Sequence, residues 1–519
     1  MAKNYIIGIG GTGARAIEAV VHCCAAGFGP NELSLFIVDP DEGNGNLSRT
    51  KTLVSEYQRC RESLGDRSSA DMRLFGTQIS TPEPFVWSIF EDQNTTLAHF
   101  INYENVRQHH RDLSEFMDVL FTPEELTTQL NEGFRGHPSI GAVVMSNAEQ
   151  DDNPWRAFWS DVENSTGENS VRVFLVGSIF GGTGAAGVPT FGAREMLKYH
   201  KLATIDAERR KSKILLGSAL VLPYFSIDTG DEAGLNEAGM HVTTSDFPIA
   251  TKAALQYYNE KDLHFDQLYF VGDSLAQKVG KFSVGNVAQQ NRPHYIELVT
   301  ALSAFDFFAQ KDPDGSEPQY FAAARSTSVV DWKALPVTRY QERLAAMQAE
   351  FKLRIAAMTA FSYAFATLGR ETLAKPHADI PDPWYRSHFN FRPNETVKDP
   401  RHYARQLEAI AVYCEKFLGW VSALDDDSGQ VQLVDNTKLL TPGADRRILD
   451  YTQYGASIGS FLKGDAGRGL QFHHFLNTLN ELSLDDASMS TPSRYVGLFY
   501  EAAYRFASDN WRMARSTPS

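Results

Sequence analysis

Two glycine-rich segments of the chain carry the residue types that could hold a phosphate group. The first reads Gly8-Ile9-Gly10-Gly11-Thr12-Gly13, and the second, at residues 177–187, contains Gly181-Gly182-Thr183-Gly184 followed by small residues. Each segment follows an apolar run and precedes a helical pattern. Glycines at such a turn let backbone N–H groups approach an anion at the N-terminus of the helix, so both segments predict anion-binding turns.

The first segment by itself leaves two interpretations open. It fits the G-x-G-x-x-G pattern of dinucleotide-binding folds, and Asp39 lies 31 residues after Gly8, somewhat beyond the roughly 20 residues expected for a ribose-binding acid. A tight turn whose small residues serve helix packing accounts for the segment equally well. A kinase-like phosphate loop is excluded because no Lys-Ser/Thr pair follows the glycines.

An alternation of strands and helices must position these segments. Apolar runs predict the strands, and a 3.6-residue periodicity predicts the helices between them. The order predicts an α/β fold, in which a Rossmann-like parallel sheet forms a nucleotide-binding domain across residues 1–310. The predicted strands are residues 5–9, 33–38, 171–176, 214–222 and 267–271, and the predicted helices are residues 12–26, 188–201, 247–260 and 293–309.

Two regions depart from this alternation. Residues 50–132 are polar and helical in pattern, with no evident strand, and we interpret them as an insertion. Residues 311–519 are predicted to form a mostly α-helical C-terminal domain, because amphipathic patterns dominate there. Its clearest helices are expected near residues 337–370, 402–423 and 495–514.

The composition is that of a globular protein with an acidic surface. The chain has 519 residues, of which 49 are Lys or Arg and 64 are Asp or Glu, so its net charge is −15. This charge repels phosphate backbones, so no nucleic-acid partner is expected. The N-terminus enters a strand pattern without a secretion signal, and no apolar run of about 18 residues predicts a membrane span. Four cysteines without metal-binding spacing predict reduced core thiols, which favours a cytoplasmic protein.

The second glycine segment resembles the signature of the tubulin/FtsZ superfamily, GGGTG followed by small residues. Three further segments support this resemblance. Gly136-His137-Pro138-Ser139-Ile140-Gly141 is similar to the phosphate-sensing loop of the family, and Phe225-Ser226-Ile227-Asp228 is similar to a segment whose acid contacts the ribose. Asp39-Pro40-Asp41 lies where the family has an acidic loop near the phosphates and the metal. The resemblance covers about residues 1–310.

The resemblance implies a site for GTP or GDP with Mg²⁺. It implies Asp41 at the metal with Asp39 nearby, Asp228 at the ribose, and Arg15, Asn291 and Tyr295 near the base. Three positions depart from the family pattern, since Phe180 and Ala186 replace glycines of the signature and Arg15 replaces an Asn. The residues implied at the phosphates are Gly10, Gly11, Thr12, Gly13, Gly136, Gly181, Gly182, Thr183 and Gly184. Arg135, beside the Gly136–Gly141 loop, is the nearest cation suited to phosphate oxygens.

Hydrolysis in the family requires acids after the central helix, supplied to the nucleotide of a neighbouring subunit. The matching segment here is Lys311-Asp312-Pro313-Asp314-Gly315, so Asp312 and Asp314 are the candidate catalytic acids. A polar Pro-Gly turn with solvated carboxylates is the alternative interpretation. Glu297, on the central helix, could approach the nucleotide, but it is interpreted as an exposed helix acid, which is the more common case.

Three functions follow from these observations. The first is a tubulin/FtsZ-like GTP-binding protein that assembles with itself as a GTPase or acts as a nucleotide-dependent switch for a protein partner. The second is an NAD-dependent Rossmann oxidoreductase, which uses the first glycine segment and Asp39 but leaves the second segment unexplained. The third is a non-catalytic scaffold that keeps the tubulin-like fold, which the departure at Phe180 favours.

Overall fold

The fold is that of a computed structural model. The residues that the structure describes lie between residues 3 and 515, with gaps between the ranges. The described residues are 3–65, 73–88, 95–134, 136–146, 154–164, 171–195, 214–228, 246–260, 265–273, 277–281, 291–310, 318–322, 330, 335, 341–389, 399–424, 431, 433, 472–484 and 489–515.

A parallel β-sheet forms the centre of the molecule, as the sequence predicts. Its strands are β1 (Lys3–Ile9), β2 (Glu32–Val38), β3 (Gln78–Ser80), β4 (Val86–Trp87), β5 (Val171–Ser178), β6 (Ile214–Val221), β8 (Gln267–Val271) and β10 (Gln319–Ala322). The spatial order is β10-β8-β6-β5-β1-β2-β3, and β4 also pairs with β2. A separate two-stranded ribbon consists of β7 (Phe225–Asp228) and β9 (Gln277–Lys281).

The strand order reverses between β1 and β5. From β1 the chain continues outward through β2, β3 and β4, and then returns to β5 on the other side of β1 before it continues through β6, β8 and β10. Both central strands are apolar and largely buried, as expected for strands covered on two faces. Ligands of open α/β sheets bind beyond the carboxyl ends of the strands at such a reversal.

Helices connect and cover the strands. Those of the first part are α1 (Gly10–Ala25), α2 (Gly45–Ser63), α3 (Leu97–Phe100), α4 (Tyr103–His109), α5 (Arg111–Leu120), α6 (Pro123–Leu126), α7 (Pro138–Ser146), α8 (Trp155–Asn164), α9 (Gly182–Pro189), α10 (Asp246–Glu260) and α11 (Tyr295–Ala309). Those of the second part are α12 (Gln341–Ala364), α13 (Arg370–Ala374), α14 (Pro383–Phe389), α15 (Ala404–Ala423), α16 (Phe472–Glu481) and α17 (Thr491–Arg515). None of the described helices is long and apolar enough to cross a membrane.

The two faces of the sheet belong to different hydrophobic cores. Alternate side chains of β1 point to opposite faces, so Ile6 belongs to one core and Ile7 to the other. The core around Ile6 includes residues of α1, α11 and the C-terminal helices, whereas the core around Ile7 includes residues of α7, α8 and α9. Helices α1 and α9, which follow the two central strands, therefore lie on opposite faces of the sheet.

Two sequence-based expectations about the elements are wrong. Residues 50–132 contain strands, since β3 and β4 both pair with β2, and helix α2 begins at Gly45. The helix expected at residues 188–201 begins earlier, at Gly182, and a π-helical turn, Thr190–Glu195, continues it. In addition, β10 pairs with β8 within the region assigned to the C-terminal domain, so the sheet extends beyond residue 310.

The C-terminal helices pack directly on the N-terminal part of the chain. Helix α15 lies against α2, where the Sγ of Cys60 contacts the carbonyl oxygen of Ala409 at 3.4 Å and Lys416 forms an ion pair with Glu56 at 2.6 Å. All four cysteines are buried and free, which confirms the prediction of core thiols. The mostly helical character predicted for this region agrees with its described elements.

His22 lies at this contact and makes it sensitive to acid. Its ring stacks on Trp420 with 4.7 Å between centroids, and the hydroxyl of Tyr413 lies 3.3 Å from its Nδ1. Burial, together with the nearby charges of Arg49 and Lys416, lowers the pKa of His22 to about 3. The folded protein therefore keeps this ring neutral under conditions in which the unfolded chain would protonate it.

We expect this difference in pKa to weaken the folded state in acid. The unfolded chain binds a proton on His22 below about pH 6.5, whereas the folded protein does not. The free energy of unfolding therefore has its full value above that pH and decreases as the pH falls toward 3, by about 3 kcal/mol near pH 4.5. Urea unfolding of the wild type and of His22→Gln, each near pH 7 and pH 4.5, measures this. The variant should lose about 3 kcal/mol less than the wild type, and equal losses would contradict the assignment.

Candidate functional site

The two glycine segments form the turns at the reversal point of the sheet. Helix α1 begins at Gly10 directly after β1, and helix α9 begins at Gly182 shortly after β5. The N-cap residues, Ile9 and Gly181, provide no side-chain hydrogen bond to either helix. Unsatisfied N–H groups and the positive end of the helix dipole favour an anion at such an N-terminus.

The two turns contact each other. A Cβ built on Gly10 would lie 3.3 Å from the Cβ of Thr183, and the φ of Gly10 is +72°, a conformation that favours glycine. A Cβ built on Gly11 would make only ordinary van der Waals contacts, with the side-chain nitrogens of Asn44 and Asn46 at 3.7 and 3.9 Å. The structure therefore brings Gly10, Gly11 and Thr183 to one place.

Other predicted glycines serve packing. A Cβ on Gly13 would lie 2.6 Å from the carbonyl carbon of Gly8, and one on Gly184 would lie 2.3 Å from the carbonyl oxygen of Ser178. Both glycines let a helix approach the strand that precedes it. Thr12 is buried in the first turn of α1. The packing interpretation of the glycine pattern thus accounts for part of each segment.

The predicted phosphate-sensing loop is the third turn at this place. A Cβ on Gly182 would lie 3.1 Å from the backbone nitrogens of Gly136 and His137, so this loop touches the α9 turn. Helix α7 begins at Pro138, a residue type suited to the first position of a helix. The Nδ1 of His137 lies 2.9 Å from a carboxylate oxygen of Glu125, which anchors the loop to α6. Arg135 lies outside the described residues.

The acidic loop after β2 borders the same place. Asp39 and Asp41 are both buried, and the backbone N–H of Asp41 donates to Asp39 Oδ1 at 3.0 Å. Burial, helped by the nearby charge of Asp41, raises the pKa of Asp39 to about 8, although the hydrogen bond from the Asp41 N–H favours the ionised form. Asn44 caps helix α2 by accepting a hydrogen bond from the N–H of Asn46. Since Asn44 also lies closest to Gly11, the loop adjoins the N-terminus of α1.

The acidic pair has the donor atoms that a divalent cation would need from the protein if phosphates and water supplied its other ligands. In the part of the chain that the structure describes, no group of three or more His, Cys, Asp or Glu side chains is arranged to hold a metal by itself. Mg²⁺ is commonly bound by one or two carboxylates together with substrate phosphates and water. Asp41, with Asp39 beside it, would hold such an ion, whose charge would favour the ionised form of Asp39 against the effect of its burial.

Arg15, predicted near the base, is a buried member of a polar network. Its Nε lies 2.9 Å from Glu297 Oε1, and its Nη2 donates to the hydroxyl of Tyr224. That hydroxyl donates to the same oxygen of Glu297 at 3.0 Å, and the backbone N–H of His294 donates to Glu297 Oε2 at 3.0 Å. Burial raises the pKa of Glu297 despite the opposing charge of Arg15. Glu297 is 2% exposed, so its interpretation as an exposed helix acid is wrong.

Asn291 and Tyr295 lie near this network and are hydrogen-bonded within the protein. The side chain of Asn46 pairs with Asn291 twice, since its Nδ2 donates to Asn291 Oδ1 and its Oδ1 accepts from the Asn291 N–H, both at 2.9 Å. Arg49 donates to the carbonyl of Asn291 at 2.9 Å. The hydroxyl of Tyr295 donates to the carboxylate of Asp273. A base that contacted Asn291 or Tyr295 would compete with these bonds.

The remaining predicted residues lie wholly or partly outside the described part of the structure. Asp228 ends β7 in the two-stranded ribbon, and its side chain lies outside the described part of the structure. Asp312 and Asp314 also lie outside the described residues. Sequence reasoning missed Tyr224 and Asn46, although an Asn-Gly-Asn sequence at residues 44–46, directly after the acidic loop, was a usable signal.

The geometry of the site, rather than a comparison with known proteins, is the basis for proposing a function. No protein-family model matches the chain, and a search of curated proteins gives no significant match. The observations that bear on function are therefore the three turns in mutual contact, the acidic loop beside them and the polar network around Arg15. All of these features lie at or near the reversal point between β1 and β5.

Proposed function

We propose that the protein binds a nucleoside triphosphate, GTP with Mg²⁺, in the manner of the tubulin/FtsZ superfamily. The observation that carries the proposal is the contact of three turns, at Gly10, at Gly182 and at Gly136, beyond the carboxyl ends of β1 and β5. Each turn precedes a helix, so three helix N-termini lie close together. One pyrophosphate needs a single such turn, whereas a triphosphate tail offers three phosphates to three turns.

The acidic loop supports the triphosphate over an isolated anion. The carboxylate of Asp41 next to the α1 turn would repel a bare phosphate, whereas Asp39 and Asp41 together would bind a Mg²⁺ ion that the phosphates share. The proposed role is that of a self-assembling GTPase or a nucleotide-dependent switch for a protein partner. Asp312 and Asp314 remain the candidate acids for hydrolysis.

One observation favours the second function, NAD binding by an oxidoreductase. Asp39 directly follows β2, which pairs with β1, and a dinucleotide fold places its ribose-binding acid at this end of the second strand. The side chain of Asp39 is buried and already accepts the N–H of Asp41, which leaves it poorly placed for a ribose. We therefore rank this function second.

Calorimetric titration separates the two functions. We expect GTP to bind more tightly than GDP in the presence of Mg²⁺, because the diphosphate leaves one of the three turns without a phosphate. Removal of Mg²⁺ with EDTA should weaken the binding of GTP more than that of GMP, since only GTP shares the ion. Binding of NAD without binding of GTP would contradict the proposal and favour the oxidoreductase.

A further inference from the structure

One of the three turns at the site is not carried by a strand of the sheet. The turns at Gly10 and Gly182 follow the central strands β1 and β5, which pair with each other along the whole of β1. The turn at Gly136 follows a short 3-10 helix, Leu130–Glu132, instead. Gly133 and Gly136 both have a φ of +80°, a conformation in which glycine is free to move to many others. Contacts outside the sheet must therefore fix the position of this turn.

The residues around this turn lie directly on the first turn of α9. A Cβ built on Gly133 would lie 3.9 Å from the hydroxyl oxygen of Thr183, and one built on Gly182 would lie 2.9 Å from the Cβ of Phe134. Phe134 is buried, and its carbonyl accepts the N–H of His137 at 2.7 Å. A small displacement of this turn therefore changes the distance between its N–H groups and a phosphate at the N-terminus of α9.

A polar contact holds the turn from the side of α6. Oε1 of Glu125 lies 2.9 Å from Nδ1 of His137, and the Glu125 side chain is only 11% exposed. Oε2 of Glu125 accepts the N–H of Thr122 at 2.7 Å, and the Thr122 hydroxyl accepts the N–H of Glu125 at 3.2 Å, which completes a capping box. Because a carboxylate only accepts hydrogen bonds, the hydrogen between Glu125 and His137 is assigned to Nδ1. Both oxygens of Glu125 are thus committed.

The segment that carries Glu125 is itself held in place. Thr96 pairs with Gln129 in an antiparallel bridge, so the chain that enters α3 lies beside the chain that leaves α6. Leu126, next to Glu125, belongs to the same hydrophobic core as Phe134. The contact between Glu125 and the turn can therefore transmit the position of α6 to the phosphate site.

We propose that Glu125 is a positioning residue of the nucleotide site, which holds the turn at Gly136 against α9 through His137 and so sets the preference for a triphosphate over a diphosphate. This role rests on the proposed function, because the third phosphate of the nucleotide is assigned there to the third turn. Without the contact, the turn can move away from α9, and the third phosphate loses its donors. The first two phosphates keep the turns at Gly10 and Gly182, which the sheet holds.

Calorimetric titration with GTP and with GDP, both with Mg²⁺, tests this role. Glu125→Ala should weaken the binding of GTP about tenfold, as expected for one hydrogen bond to a charged group, and should leave the binding of GDP nearly unchanged. A merely structural role would instead lower both affinities in the same proportion. Glu125→Gln should retain most of the preference for GTP, because its amide group can pair with Thr122 and with the other tautomer of His137.

Thr122→Ala is the matched control. It weakens the same capping box but keeps the contact between Glu125 and His137, so the ratio of the two affinities should stay that of the wild type. His137→Ala removes the contact at a side chain that is 33% exposed, so it tests the role even if Glu125→Ala does not fold. The double variant should lose no more affinity for GTP than either single variant, because both remove one interaction.

Hydrogen exchange without nucleotide measures the position of the turn directly. Glu125→Ala should speed the exchange of residues 136–141, whereas residues 10–13 should exchange as in the wild type. Equal losses of affinity for GTP and GDP, or unchanged exchange at residues 136–141, would overturn the role of Glu125 and leave the proposed function in place. A wild type that binds no GTP would overturn the proposed function, and the role of Glu125 with it.

Discussion

The substitution Gly11→Asp is expected to weaken triphosphate binding by about three orders of magnitude. Gly11 lies in the first turn of α1, and a Cβ there would make only van der Waals contacts with Asn44 and Asn46, so the new side chain can be accommodated. A carboxylate about 4 Å from a phosphate costs about 4 kcal/mol at an effective dielectric constant near 20, which corresponds to roughly a thousandfold in affinity. Calorimetry with GTP and Mg²⁺ measures the loss.

Gly11→Asn is the matched control for this prediction. Asparagine has nearly the same shape as aspartate but no charge, so it should retain most of the affinity, and both residues are tolerated near a helix N-terminus. Gly182 is less suitable, because its Cβ would lie 2.9 Å from the Cβ of Phe134 and would disturb the fold. Equal affinities of the Asp and Asn variants would mean that no phosphate lies beside Gly11.

The substitution Arg15→Met is expected to lower the free energy of unfolding by about 3–5 kcal/mol near pH 7. It leaves the carboxylate of Glu297 buried without its opposing charge, and breaking one side of a buried ion pair has a cost of this size. The loss should shrink as the pH falls, because the raised pKa of Glu297 rises further without Arg15 and the neutral acid avoids the penalty. Urea unfolding across this pH range measures the effect.

Two further variants isolate the buried charge as the cause. The double variant with Arg15→Met and Glu297→Gln should be more stable than Arg15→Met alone near neutral pH, because no uncompensated charge remains. Arg505→Met breaks an ion pair with Glu501 on the exposed side of α17 and should cost less than about 1 kcal/mol. A similar loss in Arg505→Met and Arg15→Met would show that the network around Arg15 has no special importance for stability.

The sequence alone determined the elements whose apolar patterns are strong. The bounds predicted for β8, residues 267–271, are those of the structure, and β1 and β5 were predicted within a few residues. Buried parallel strands consist of continuous apolar runs, and this local signal does not depend on the neighbours of the strand. The same holds for the first glycine segment, because a positive φ, as at Gly10, favours glycine wherever the turn lies in the fold.

Only the tertiary structure decided which residues meet at the site. Strands β3 and β4 have three and two residues, and their pairing with β2 depends on main-chain hydrogen bonds that leave no periodic pattern in the sequence. Glu297 is buried because Tyr224, 73 residues earlier, and Arg15, on the first helix, close around it. Helical periodicity cannot reveal such partners, because burial of a charged side chain depends on contacts between residues that are distant in the chain.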